Sequence, residues 1–209
     1  MGRRDARRVY VGKAKGAHAV SQDEINALIV REARAGHRVV RLKSGDPLIF
    51  GRAGEEMAAL RAAHISFDIV PGITAAFAAA AEAEIPLTMR DSASALVFAT
   101  GQDADGDTLP GWAGLALSGA TVAVYMGRTV AAKVAARLIE AGMNPSTPVA
   151  VIENASRPDH RAYAGRLSEL AAIAERPELT GPVLIIVGEV VAAGAVGSAP
   201  ASLSELMVA

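Results

Sequence analysis

Cysteine is absent from all 209 residues, which excludes disulfides and thiolate-bound metals. The histidines His18, His37, His64 and His160 fall singly, without the spacing of a ligand cluster, so no metal site is expected. Aromatic residues make up only 4% against 51% hydrophobic, so alanine and valine have to build the interior. An excess of either charge is also lacking: 21 Lys and Arg face 22 Asp and Glu, a net charge of −1. A general nucleic-acid binder leaves a strongly basic footprint, so that class is excluded, and an anionic ligand must be met by locally placed cations. No uncharged apolar run reaches the ~20 residues that span a bilayer, and the basic start has no apolar stretch behind it. The Met-Gly start lacks the Ser or Thr at position 6 that myristoylation requires. A cytoplasmic protein with no membrane partner is the expectation.

What is present is concentrated between Val39 and Glu56, VVRLKSGDPLIFGRAGEE. A β-branched run, Val39 to Leu42, suits a half-buried strand. Ser44-Gly45-Asp46-Pro47 then forms a turn where the backbone leaves a sheet edge, the place where α/β proteins bind ligands. A helix opens at Arg52 to Glu56, and the three-residue spacing of Arg52 and Glu55 lets both face one cleft. An ordinary turn followed by a solvated helix pair would read the same way.

Elsewhere strands and helices alternate. Arg8 to Gly12 reads as a strand with Lys13 just beyond it, by itself one loop lysine among several. Ser21 to Glu24 has the form of a capping box for a helix running to Gly36. A helix to about Ala63, with Met57 and Leu60 inward, precedes a strand Phe67 to Val70 and the turn Pro71-Gly72. Thr74 opens an alanine-rich helix, 74–83, as a cap or as a polar docking point. Ile85-Pro86 breaks it, and the domain boundary is placed there: 1–90 an N-terminal α/β domain, 91–192 a second α/β domain, 193–209 a flexible tail. The second half carries strands 95–99, 121–126, 148–153 and 183–187 and a helix 129–141 with Val130, Val134 and Leu138 as its buried stripe; 101–119 reads as loop. Met126 and Ala155 each follow a strand. The fold class is α/β.

The Val39–Glu56 stretch resembles the VRLKGGDPFIFGRGGEE segment of uroporphyrinogen-III C-methyltransferases, of the tetrapyrrole methylase family. Val11-Gly12-Lys13, Gln22-Asp23-Glu24-Ile25-Asn26, VPGITAA at Val70 to Ala76, Ile85-Pro86-Leu87-Thr88, Tyr125-Met126-Gly127 and the ending at Val183 to Val190 match in the same order. Departures are Ser44, Ala53 and Ala155 where glycine is usual, Leu48 for phenylalanine, and Gln102 and Met89 for histidine. The family's opening strand, its GxGPGDPxLLT-like loop and a YDR segment with a proton-accepting aspartate have no counterpart here, so the first domain is expected to be incomplete and S-adenosylmethionine binding and turnover weak.

The resemblance implies a two-domain fold, a homodimer, and S-adenosylmethionine as methyl donor, leaving as S-adenosylhomocysteine. It implies a tetrapyrrole substrate, uroporphyrinogen III, methylated to precorrin-1 and precorrin-2 for sirohaem or cobalamin. Cofactor contacts fall on Ser44, Gly45, Asp46, Ile49, Thr74, Ala75, Met126 and Ala155. Gly45, Asp46, Thr74, Met126 and Ala155 are expected to converge on one cleft. Lys13 takes the place of a proton donor, Arg52 and Arg90 face the substrate's carboxylates, and Glu55 holds Arg52 or carries a proton. A methyltransferase acting on a later precorrin and a non-catalytic ligand-binding or dimer-partner subunit are the alternatives.

Overall fold

A computed structural model describes residues 5–12, 20–104 and 111–196. The chain divides into two compact units, Met1–Gly72 and Ile73–Ala209.

In the first unit two helices pack together: α1, Gln22–Arg34, and α2, Ala53–Ala62. The predicted capping box starts α1. Ser21 Oγ accepts the Glu24 N–H at 3.2 Å, and the Glu24 carboxylate accepts the Ser21 N–H at 2.7 Å. Of α2 it is Ala53 and Glu56 that are buried, while Met57 and Leu60 are half-buried. The strands expected at 8–12, 39–42 and 67–70 are corrected: among the described residues these segments form no ladder. β-branched residues favour extended backbone, but a strand exists only where a neighbour accepts its hydrogen bonds. Val40 and Leu42 are accordingly 70% and 78% exposed.

The second unit is built on a five-stranded mixed sheet: β1, Leu96–Thr100; β2, Thr121–Tyr125; β3, Pro148–Glu153; β4, Arg161–Arg166; and β5, Val183–Val187. Their order across the sheet is β1-β2-β5-β3-β4. β1 and β2 are parallel, and β2 and β3 both run antiparallel to β5. The carboxyl ends of β1, β2 and β3 therefore share one edge. One face of the sheet, with Val122, Val124, Val149, Val151 and Ile185, packs on α4 (Ala113–Leu117), α5 (Ala131–Glu140) and α6 (Leu170–Ala174). The expected stripe of Val130, Val134 and Leu138 is buried there. The other face, with Ala123, Ile152, Leu184 and Ile186, packs on α3, Ala75–Glu82.

Helix α3 shifts the division of the chain. Its buried alanines Ala76, Ala79 and Ala80 cluster with the second unit's sheet, so the units part ahead of α3 and not near residue 90. Pro86 ends the helix without ending the unit. Residues 101–119, expected to be loop, hold α4 and a short 3-10 turn, and β4 and α6 lie in a stretch where no element was expected. Within the expected tail the Ala195 N–H bonds the Ala83 carbonyl at 3.0 Å and Val196 packs on the core, so residues 193–196 belong to the second unit; residues 197–209 lie outside the described residues.

Candidate functional site

In the first unit the turn after residue 43 is held by its own carboxylate. Asp46 Oδ1 accepts the Leu48 N–H at 2.8 Å, and Oδ2 accepts the Gly72 N–H at 3.0 Å, so one side chain ties two loops. These two amides, Gly72's first, hold the Asp46 carboxyl below its ordinary range. The backbones touch as well: a Cβ on Gly72 would run into the Gly45 carbonyl oxygen, so only glycine fits at 72. Ser44 and Gly45 are exposed, Ile49 is half-buried, and the Ile49 N–H bonds the Asp46 carbonyl at 3.3 Å. Asp46 is thus a loop staple.

The predicted Arg52 and Glu55 pair forms a two-pronged bridge, Nε to Oε1 at 2.6 Å and Nη2 to Oε2 at 2.7 Å. Both side chains stay about half exposed, at 49% and 47%. Arg52 is the N-cap of α2 in a left-handed conformation, φ 55°, and Phe50 is left-handed too, φ 50°. Two such residues so close together are costly backbone, held here by the surrounding loop. Of the two roles left open for Glu55, this geometry matches holding Arg52. Lys13 lies outside the described residues.

In the second unit Thr74 is 4% exposed, and its hydroxyl shares a 2.5 Å hydrogen bond with the Tyr125 hydroxyl, which also accepts the Ala76 N–H at 3.1 Å. Tyr125 therefore supplies the side-chain capping that Thr74 was expected to supply, since the Thr74 hydroxyl bonds no amide of α3 and only its backbone carbonyl accepts the Phe77 and Ala78 N–H groups. Beside it, Phe98 meets Phe77 and Tyr125 edge to face. Ala75, in the first turn, is exposed.

Met126 follows β2 with φ 53° and 46% of its surface exposed. Beyond β3, Asn154 and Ser156 are left-handed around a half-buried Ala155. The Ser156 N–H bonds Glu82 Oε1 at 2.8 Å, which ties this loop to the far end of α3. Glu153 is fully buried: it accepts the Thr180 N–H at 2.5 Å and the Gly181 N–H, and pairs with Arg161 at 2.9 Å. Burial pushes its carboxyl up, but these donors outweigh that and leave it lowered. Arg90 sits exposed at the turn closed by Met89 and Ala93.

Thr74, Ala75 and Met126 thus lie where the start of α3 meets the end of β2, while Ala155, beyond β3, stands in a loop tied to the far end of α3. Sequence reasoning missed Glu56, Tyr125 and Glu153 as site-building residues. Glu153 had a signal, a lone charge closing an apolar strand; Tyr125 was visible only as part of a motif.

Among the described residues no three His, Asp or Glu side chains group as a metal site, and no helix is long and apolar enough to cross a membrane. The family pattern of Tetrapyrrole (Corrin/Porphyrin) Methylases matches residues 2–171. A siroheme synthase of Gluconacetobacter diazotrophicus is 50% identical over 190 residues, 90% of this chain and 40% of that protein. This chain spans about two fifths of the length of the curated relatives it matches. A uroporphyrin-III C-methyl transferase from Thermus thermophilus, solved with S-adenyl homocysteine, superposes with a TM-score of 0.73 at 36% identity, covering 88% of this chain and 78% of that one. A cobalt precorrin-4 methyltransferase reaches the same score at 30% identity, covering 84% and 73%. With a family pattern over most of its length, this chain belongs to the tetrapyrrole methylase family.

Proposed function

We propose that this chain binds S-adenosylmethionine and serves the C-methylation of uroporphyrinogen III, towards precorrin-2. The observation that supports the reading is that Thr74, Ala75 and Met126 lie where the start of α3 meets the end of β2, with Ala155 following the parallel strand β3. The Thermus thermophilus relative supports the substrate assignment. The cofactor supplies a sulfonium-activated methyl group. Met126 and Ala155 give its apolar parts a surface, and in the first unit Asp46 fixes the backbone of the loop bearing Ser44, Gly45 and Ile49. Arg52, oriented by Glu55, presents its remaining donors to a substrate carboxylate, and Arg90 offers a second cation. Lys13 is proposed for proton transfer, and the assembly as a homodimer in the cytoplasm.

Titration with S-adenosylhomocysteine is expected to show saturable binding that Met126→Glu weakens; no binding by the wild-type chain overturns the reading. Arg52→Lys is expected to cut turnover by about tenfold or more with little change in cofactor affinity, because lysine keeps the charge and loses the fork. Turnover equal to wild type removes Arg52 as a substrate clamp. A methyltransferase for a later precorrin is the second reading, favoured by Ser44 and by the cobalt precorrin-4 methyltransferase likeness. Assaying both substrate classes separates the two.

A further inference from the structure

Glu56 lies beside the exposed Glu55 but points the other way: it is 7% exposed and collects three donors. Oε2 accepts Lys43 Nζ at 2.8 Å, and Oε1 accepts Arg41 Nε at 3.1 Å and Gln22 Nε2 at 3.3 Å. Gln22 belongs to α1 and Glu56 to α2, so the carboxylate joins both helices to the segment that leads into the Ser44–Gly51 loop. Lys43 is the unusual member. Lysine is among the residues least often buried, yet this side chain is only 11% exposed.

The path of Lys43 explains why. A Cβ placed on Gly51 would sit 3.2 Å from Lys43 Cε and 2.5 Å from the Pro47 carbonyl oxygen. The lysine stem therefore runs beneath the loop, from its first residue to its last, before reaching Glu56. A buried ion pair is by itself weak evidence for stability, because desolvation offsets much of the attraction. Its place under this loop gives it a different use. We infer that Glu56 is a positioning residue: through Lys43 it pins the 44–51 loop in the conformation that Asp46 also staples.

The inference rests on the proposed cofactor role of that loop only for its functional consequence; the pin itself is read without ligand. The test compares the full chain with Glu56→Gln, Lys43→Met and the double variant, by amide hydrogen exchange, thermal unfolding and titration with S-adenosylhomocysteine. In Glu56→Gln, exchange at the Leu48, Ile49 and Gly72 amides is expected to rise about tenfold while α5 amides stay unchanged, and S-adenosylhomocysteine binding to weaken. In the double variant, which leaves no unpaired buried lysine, the thermal midpoint is expected to recover while fast exchange and weak binding persist. Unchanged exchange in Glu56→Gln overturns the pin. Recovery of midpoint, exchange and binding together in the double variant overturns it as well, reducing the pair to a structural contact. If the wild-type chain binds no S-adenosylhomocysteine but the exchange responds as expected, the functional reading falls and the pin stands.

Discussion

The two units hold their loops by different physics. In the second, a five-stranded sheet with apolar layers on both faces fixes the strand ends, and loops such as Met126–Gly127 emerge from that edge, with the Glu153 and Glu82 carboxylates adding bonds to the loops at 180–181 and 154–156. In the first, no ladder exists among the described residues, and side-chain charges do the fixing: Asp46 on two amides, Glu56 on three donors, Glu55 on Arg52. Apolar packing is non-directional and carries no titrating group; charged hydrogen bonds are directional and depend on protonation. The comparison therefore predicts that different perturbations damage different halves.

The largest effect is expected from the apolar half. Leu138→Ala, at a site with no exposed surface, should cost about 2–5 kcal/mol. Trp112 is the chain's single tryptophan and lies in the same cluster, so its fluorescence during urea unfolding reports on that unit. A loss below about 1 kcal/mol would mean that this face is not the main source of stability. Tyr125→Phe comes next, at about 1–3 kcal/mol, because it strips the partner from buried Thr74 and the Ala76 amide while keeping the ring beside Phe98. A neutral result would show that water replaces the hydroxyl.

In the charged half, Ser21→Ala removes half of the capping box and should cost about 1 kcal/mol, read as lost helicity by circular dichroism. The smallest effect is a pH effect. Asp46's carboxyl is lowered by the Gly72 and Leu48 amides, so its contribution is fully present above the unfolded value of about 3.9 and is lost as pH falls through the lower folded value. The Leu48 and Gly72 amide resonances should shift together in that acidic window, and Asp46→Asn should abolish the transition. Shifts confined to one of the two amides would break the staple into separate contacts.

The helices of the first unit and the apolar strands of the second were legible because their signals are local. The capping box at Ser21 and the stripe of Val130, Val134 and Leu138 are read within one or two turns. Strand β4, RAYAGR, was not legible, since its alternation is weak and it exists through pairing with β3. The site was legible to the same depth. Arg52 and Glu55 form the pair that their spacing suggests, whereas Thr74 bonds Tyr125, a partner 51 positions away that no local pattern names.

By itself the sequence determined that the stretches of α1, α2, α3 and α5 are helical, which stretches are apolar and extended, the absence of cysteine chemistry, and the order of motifs that places the chain in its family. Those properties depend on composition and on spacings of a few residues. Tertiary structure alone decided whether an extended stretch becomes a strand, that α3 joins the second unit, and that of two neighbouring glutamates Glu55 faces outward to Arg52 while Glu56 turns inward to Lys43. Each of these depends on a partner distant in the chain, because hydrogen bonds and burial are satisfied in space and not along the sequence.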